Sequence, residues 1–165
     1  MHAHPPRGFS LVGPGRAGSA VAVALAARGW RAVAVAGRAA GAASTIALAA
    51  RLGADARDVA DAGRGADLVV VATPDAAIAD AAAASAPGVE PGALVVHLSG
   101  ACGLEELDKL HVARPDVEVG VLVSGSFEPE GTPQFMFMKQ PGGPILRSDR
   151  DEEGSDARTT EVRAR

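Results

Sequence analysis

The sequence is poor in cysteine, in aromatic residues and in positive charge. Its 165 residues include one cysteine, Cys102, no tyrosine, four phenylalanines and one tryptophan, and the formal net charge is −4. A single cysteine excludes an internal disulfide, and without partners at ligand spacing we expect no metal site. The charge argues against nucleic acid as a partner. With 47% hydrophobic residues, many of them alanine, we expect one domain.

Long hydrophobic runs are missing as well. No segment has the roughly 20 consecutive apolar residues that a membrane-spanning helix needs, so we expect no membrane partner. Residues 1–7 lack the apolar stretch of a secretory signal and contain two prolines. We therefore expect a flexible N-terminus and a cytoplasmic protein.

The most informative pattern is a glycine-rich turn between an apolar run and an alanine-rich run. Residues 9–12 favour a strand, residues 13–18 are Gly-Pro-Gly-Arg-Ala-Gly, and residues 19–28 favour a helix. Strand, glycine turn and helix in this order form the arrangement that the pyrophosphate of a dinucleotide requires. The helix N-terminus offers unpaired N–H groups and the positive end of the helix dipole to such an anion.

Each glycine of this turn has a separate expected role. Gly13 permits the tight turn, Gly15 lets the backbone approach phosphates without an intervening Cβ, and Gly18 permits close helix–strand packing. We predict that these glycines bind a dinucleotide, together with Arg16 and Ala17 between them. The alternative is an ordinary strand-to-helix turn. We favour it less, because the turn lies in the first βα unit of the chain, where a Rossmann fold has its pyrophosphate-binding turn.

Apolar runs and helical runs alternate through the first two-thirds of the chain. Gly29 and Gly53 are expected to end the first two helices, and Asp58 and Asp75 to cap the next two. The alternation predicts an α/β protein, a Rossmann doubly wound fold whose mainly parallel six-stranded sheet has helices on both faces. The predicted strands are 8–12, 31–36, 54–57, 67–72, 93–98 and 117–123, and the predicted helices are 16–28, 41–51, 59–63, 76–85 and 104–110.

The pattern changes after residue 123. We take 8–123 as the NAD(P)-binding domain and predict irregular structure for 124–146, where glycines and prolines are frequent. A Phe-Met-Phe-Met cluster at 135–138 fits either an edge strand or a helical turn. Residues 147–165 contain five arginines and six acidic residues with almost nothing to bury, which predicts a disordered charged tail.

Arg38 indicates which dinucleotide the site prefers. NAD sites place an Asp or Glu at the end of the second strand, where it binds the ribose 2′-OH. This sequence has Gly37 and Arg38 there, and a guanidinium can bind a 2′-phosphate through two hydrogen bonds. We predict NADP as the preferred cofactor, with Gly37 and Arg38 in its site; the alternative is that Arg38 is only a solvated loop residue.

Two further strand ends carry polar residues that could serve a ligand. Thr73, Pro74 and Asp75 follow the fourth strand and are predicted to lie under the cofactor, although a capped turn explains them equally well. His97 and Ser99 follow the fifth strand, and we name both as candidate catalytic residues. A buried histidine in a strand is more often a packed polar group, and Ser99 has no evident base partner.

These segments together resemble a known group of reductases. The glycine turn, the Asp-Leu-Val-Val-Val-Ala-Thr-Pro-Asp run at 67–75 and the His-Leu-Ser-Gly run at 97–100 are similar to those of 6-phosphogluconate-dehydrogenase-like enzymes. Within that group the chain resembles the Rossmann-like/DUF2520 oxidoreductase family, some of whose members act as ketopantoate reductases. The resemblance covers about residues 8–123 and implies a cofactor-binding N-terminal domain.

The chain departs from that family after the sixth strand. Members usually continue with His-Pro-Leu, whereas residues 122–125 are Leu-Val-Ser-Gly, and members continue into a helical domain that contacts substrate and dimerises. The catalytic lysine and carboxylate of related ketopantoate reductases have no counterpart here. One hypothesis is a frame shift or a truncated gene near residue 123. A homodimer is therefore expected only if such a helical domain is supplied.

The resulting hypothesis is an NADP-binding domain of an oxidoreductase that transfers hydride between NADPH and a small carbonyl or imine substrate. The chain alone is expected to be incomplete for catalysis. The alternative is a non-catalytic dinucleotide-binding or regulatory module. A methyltransferase is disfavoured, because such domains usually keep an acidic residue after the second strand.

Overall fold

The computed structural model describes residues 7–124, 135–139 and 159–162. Four short 3₁₀ turns at 59–61, 75–77, 86–88 and 104–107 supplement the regular elements. In chain order these elements are β1 (Gly8–Val12), α1 (Arg16–Ala27), β2 (Arg31–Ala36), α2 (Ala43–Leu52), β3 (Asp55–Arg57), β4 (Leu68–Val71), α3 (Ile78–Ser85), β5 (Leu94–His97), α4 (Asp108–Ala113), β6 (Glu118–Ser124), β7 (Phe135–Lys139) and β8 (Thr159–Val162).

The sheet has the strand order β3-β2-β1-β4-β5-β6-β7-β8. Strands β1 to β6 pair in parallel, which confirms the predicted doubly wound Rossmann fold. The chain moves outward from β1 to β3, returns to the other side of β1 at β4, and continues to β6. The order therefore reverses between β1 and β4, and ligands of such sheets bind at the carboxyl ends of the strands beside this reversal.

The core consists of two apolar layers, one on each face of the sheet. Residues of α1 and α2 pack with β1, β2 and β4 in one cluster, and residues of α3 and α4 pack with β4 and β5 in the other. All four residues of β4 and of β5 are buried. Burial on both faces explains why β4 and residues 94–96 of β5 are continuous apolar runs rather than alternating ones.

The ends of the predicted elements shift by a few residues. Helix α1 ends at Ala27, because Gly29 has a φ of +84° that no other residue type adopts readily. Helix α2 begins at Ala43 rather than at residue 41, since Ala42 still has extended backbone. No described helix has both the length and the apolar character needed to cross a bilayer.

The two predicted helix caps differ in outcome. Asp58 occupies the predicted N-cap position, before a 3₁₀ turn, but its side chain makes no capping hydrogen bond; its Oδ1 lies 3.4 Å from the amide nitrogen of Ala40 instead. Asp75 is itself the first residue of a 3₁₀ turn, with Pro74 in the capping position. The turn therefore begins at residue 75, one residue before the predicted start of the helix at residue 76. Pro74, whose φ is −53°, precedes it.

The last two strands lie in the segments for which irregular structure and a disordered tail are predicted. Strand β7 pairs antiparallel with β6, and β8 pairs antiparallel with β7. The structure therefore differs from the prediction at these nine residues. The Phe-Met cluster is a strand rather than a helical turn, but it is not at the edge of the sheet, because β8 pairs with it. The remainder of 125–165 and the predicted flexible residues 1–6 lie outside the described residues, and the domain limits stay predictions there.

Candidate functional site

The carboxyl ends of β1, β2, β4 and β5 are connected at one level by backbone hydrogen bonds. The amide of Gly13 donates to the carbonyl of Ala36 at 2.8 Å, and that of Ala72 donates to the carbonyl of Val12 at 2.7 Å. The amide of Leu98 donates to the carbonyl of Val71 at 3.2 Å. The glycine turn, Arg38, Thr73 and the loop after His97 therefore lie along one edge of the sheet.

Gly13 and Gly18 are glycines because neighbouring atoms leave no room for a side chain. Gly13 has a φ of +99°, and a Cβ there would lie 2.8 Å from the carbonyl carbon and oxygen of Ala72. A Cβ on Gly18 would contact the carbonyl oxygen of Gly13 and lie 2.8 Å from the Cβ of Ala72. Both roles agree with those expected for the first and third glycines of a pyrophosphate-binding turn.

Gly15 is a glycine for a different reason. A Cβ on Gly15 would meet nothing within 4 Å, so protein packing places no restriction on this position. Gly15 is exposed and is the N-cap of α1, and no side chain caps the helix. The open space above Gly15 leaves room for a phosphate, and the binding role of Gly15 stays a prediction.

The first turn of α1 has the chemistry of an anion site. The first backbone bond runs from the amide of Ser19 to the carbonyl of Gly15, so the amides of Arg16, Ala17 and Gly18 precede the helical hydrogen-bond ladder. The first turn contains no acidic residue, and the Arg16 side chain is exposed. The residues present therefore fit a dinucleotide pyrophosphate.

Arg38 lies in the loop between β2 and α2. The guanidinium is exposed and makes no hydrogen bond or ion pair with any of the described residues. An acidic residue, Asp58, contacts this loop from the position after β3, since its Oδ1 lies 3.4 Å from the amide nitrogen of Ala40. Gly37 is packed tightly, because a Cβ on it would contact Oγ1 of Thr45 and lie 3.4 Å from the ring of Pro14.

His97 is buried, with 0% of its surface exposed, and both of its ring nitrogens are engaged by backbone groups. The Ser99 amide donates to Nδ1 at 3.2 Å, so Nε2 carries the proton and donates to the carbonyl of Gly103 at 2.9 Å. This geometry matches the packed, hydrogen-bonded alternative for His97. Its catalytic role stays a prediction.

Ser99 also contacts the backbone of the loop that follows β5, through its side-chain hydroxyl. Its hydroxyl oxygen accepts hydrogen bonds from the amides of Ala101 at 3.2 Å and Cys102 at 3.1 Å. His97 and Ser99 together fix the loop 98–103, which follows β5 at the candidate site. The two candidate catalytic residues, His97 and Ser99, therefore lie next to each other in space. Their side-chain hydrogen bonds within the described chain are to backbone groups.

Removing the hydrogen bonds that His97 and Ser99 make to this loop should lower the free energy of unfolding. The His97→Leu variant leaves the Ser99 amide and the Gly103 carbonyl without their partner, so we expect a loss of about 2–3 kcal/mol. Ser99→Ala should lose only about 1 kcal/mol, because the Ala101 amide lies in an exposed part of the loop where water can replace the hydroxyl. Urea denaturation of both variants measures the difference. A His97→Leu protein as stable as the wild type would contradict this role.

Sequence reasoning missed Thr45, whose buried side chain lies against Gly37. It also missed the loop contact of Asp58. A threonine in the first turn of a helix gives no signal that its hydroxyl will lie under a strand end. Thr73, Pro74 and Asp75 do lie at the end of β4 as predicted, with Pro74 and Asp75 exposed, and their binding roles stay predictions.

The parallel sheet, its order reversal and the glycine turn together define a Rossmann-type nucleotide-binding domain. The chain belongs to the Rossmann-like domain family, whose model matches residues 4–125. A comparison with curated proteins finds no match.

Several solved structures with a similar fold are oxidoreductases by name. One from Bacteroides fragilis, described as a "putative NADP oxidoreductase", is 26% identical with a TM-score of 0.63 and aligns to 79% of this chain and 49% of its own. Synechocystis arogenate dehydrogenase is 18% identical with a TM-score of 0.59, over 73% and 42% of the two chains. A PanE/ApbA family ketopantoate reductase from Ralstonia eutropha is 22% identical with a TM-score of 0.56, over 75% and 44%. The chain thus spans about half the length of these proteins.

Proposed function

We propose that this chain is the NADP-binding domain of an oxidoreductase that transfers hydride between NADPH and a small carbonyl or imine substrate. The observation that carries the choice of NADP is Arg38, an exposed guanidinium without a partner among the described residues, at the end of β2. An acid at that place would repel a 2′-phosphate, whereas a guanidinium attracts it. The Bacteroides neighbour, which is named for NADP, supports the same choice.

Within this proposal the chain's own residues hold and orient the cofactor. The amides of the first α1 turn bind the pyrophosphate, Arg38 binds the 2′-phosphate, and Arg16 adds positive charge beside them. A bound nicotinamide supplies the hydride chemistry, and the protein supplies its position. Ketopantoate-like acids are the proposed substrate class, in line with the sequence resemblance to the DUF2520 family. The cytoplasmic location and a homodimer through a helical domain stay predictions.

A second candidate is a dinucleotide-binding module without turnover. The observation that favours it is the engagement of His97 and Ser99, since backbone groups occupy both ring nitrogens of His97 and the Ser99 oxygen accepts two amides. Neither residue is thus free in the way expected of a proton donor.

Separate measurements of binding and turnover distinguish these two functions. NADPH affinity is measured by titration calorimetry, and NADPH oxidation is followed by absorbance with a panel of small 2-keto acids, aldehydes and cyclic imines that includes ketopantoate. Oxidation with one of these substrates supports the enzyme. Tight NADPH binding without oxidation by any of them, both in this chain and in a fusion of this chain to the helical domain of a ketopantoate reductase, supports the module, because this chain alone is expected to be incomplete for catalysis.

A further inference from the structure

Asp58 lies beside the loop that carries Arg38, although the sequence predicts that it caps a helix. Its carboxylate oxygen Oδ1 is 3.4 Å from the amide nitrogen of Ala40, eighteen residues away in the chain, and accepts a long hydrogen bond from it. The side chain makes no capping bond to the 3₁₀ turn that follows. The function proposed above gives this carboxylate no role.

Strand pairing places Asp58 at this loop. Strand β3 pairs in parallel with β2, and Arg57 at the end of β3 is opposite Ala36 at the end of β2. Asp58 therefore leaves β3 at the level at which Gly37 leaves β2. Arg57 is itself held in place, because its guanidinium donates to the carbonyl of Arg64 at 2.9 Å. The position of Asp58 thus depends on β3 and not on the loop that it contacts.

Residues 37–41 form the Arg38 loop, which leads from β2 towards α2. At its end the amide of Ala42 donates to the carbonyl of Ala39 at 3.1 Å, which is a contact within the same turn. Among the described residues, the bond between Ala40 and Asp58 is the only hydrogen bond that joins this loop to another part of the fold. The conformation of the backbone next to Arg38 therefore depends on the Asp58 carboxylate.

Asp58 has two effects of opposite sign on a phosphate bound at Arg38. As a hydrogen-bond acceptor it holds the loop in one conformation before the ligand arrives, and a pre-ordered loop binds more tightly because less freedom is lost. As a negative charge it repels the phosphate. Asp58 is exposed, so water and salt reduce the repulsion to about a twofold effect on Kd, whereas a hydrogen bond of about 1 kcal/mol corresponds to about fivefold. The hydrogen bond is therefore the larger effect.

We propose that Asp58 is a positioning residue for the choice of cofactor: through the Ala40 amide it holds the Arg38 loop where the guanidinium meets the 2′-phosphate of NADPH. The inference rests on the proposed function and adds a residue from the neighbouring strand to it. It accounts for an acid beside a site for an anion, where charge alone would favour a neutral residue.

The test compares Asp58→Asn with Asp58→Ala. Both variants lack the negative charge, but only asparagine keeps an oxygen that can accept a hydrogen bond from Ala40. Titration calorimetry should give a Kd for NADPH that is about fivefold higher in Asp58→Ala than in Asp58→Asn. The two Kd values for NADH should agree within about twofold, because NADH has no 2′-phosphate.

A double-mutant cycle shows whether Asp58 acts through Arg38. In the Arg38→Ala background, the difference in NADPH affinity between alanine and asparagine at residue 58 should disappear. Asp61→Ala and Asp61→Asn are the matched controls, because Asp61 is an exposed acid of the following turn whose carboxylate pairs with Arg64 at 2.6 Å. These two controls should bind NADPH equally well.

The contact itself is measured without ligand. Exchange of the Ala40 amide with water, followed by NMR, should be about fivefold faster in Asp58→Ala than in Asp58→Asn. Equal exchange rates, or equal NADPH affinities, in these two variants overturn this proposal alone. Equal losses for NADPH and NADH also overturn it, because Asp58 would then support the binding of any dinucleotide. A wild-type protein that binds neither dinucleotide overturns the proposed function together with this inference.

Discussion

The Arg38→Asp variant is expected to bind NADPH at least about 100-fold more weakly than the wild type while its affinity for NADH changes little. Hydrogen bonds from a charged group contribute roughly 1.5–3 kcal/mol, and the new carboxylate adds repulsion toward the 2′-phosphate. About 2.7 kcal/mol corresponds to a 100-fold change in Kd. NADH lacks the 2′-phosphate, so neither effect changes its Kd. Titration calorimetry with both dinucleotides measures the two constants.

Arg31→Asp is the matched control for the change in charge. Arg31 is an exposed arginine at the opposite end of the same strand, roughly 16 Å further along β2. That distance exceeds the Debye length of about 10 Å at 0.1 M salt, so the control should leave NADPH affinity nearly unchanged. If Arg38→Asp weakens NADPH and NADH equally, the assignment of Arg38 to the 2′-phosphate is wrong.

The second prediction with a large expected effect compares two glycines of the same turn, Gly18 and Gly15. Gly18→Ala should lose about 2–3 kcal/mol of stability, seen as a drop of about 10 °C in Tm, because its Cβ meets the Gly13 carbonyl and Ala72. Gly15→Ala should stay within about 1 kcal/mol of the wild type, since its Cβ meets no protein atom and alanine is only slightly worse than glycine at an N-cap.

Dinucleotide affinity should rank the two variants in the opposite order from stability, with Gly15→Ala the more impaired in binding. Gly15→Ala places a methyl group in the space that the phosphates need, so we expect at least a tenfold loss of affinity in a protein that remains folded. Thermal melting with and without NADPH measures both properties in one experiment. Normal NADPH affinity in Gly15→Ala would show that the open space over Gly15 does not hold the pyrophosphate.

The parts of the fold that depend on local chemistry could be predicted from the sequence. The first two parallel strands are those of the prediction, and Gly13 and Gly18 lie where their lack of a side chain is required. Continuous valine-rich runs such as β4 have few structural alternatives, because they must be covered on both faces.

The features that depend on tertiary contacts could not be predicted in the same way. Asp58 and Asp75 have suitable residue types for caps, yet one faces a neighbouring loop and the other lies inside its turn. The environment of His97 depends on the carbonyl of Gly103, six residues away, which no local pattern places next to the ring. The unpartnered hydroxyl of Thr73 likewise becomes evident only when its neighbours are known.

The most direct test of the central claim is the thermal stability of the wild-type protein with NADPH, with NADH and without ligand. A ligand at about 100 times its Kd stabilises the folded state by about 2.7 kcal/mol. The account predicts a rise of about 10 °C in Tm with NADPH and a smaller rise with NADH at the same concentration. An unchanged Tm with both dinucleotides at millimolar concentration would contradict it, because the glycine turn would then hold no dinucleotide.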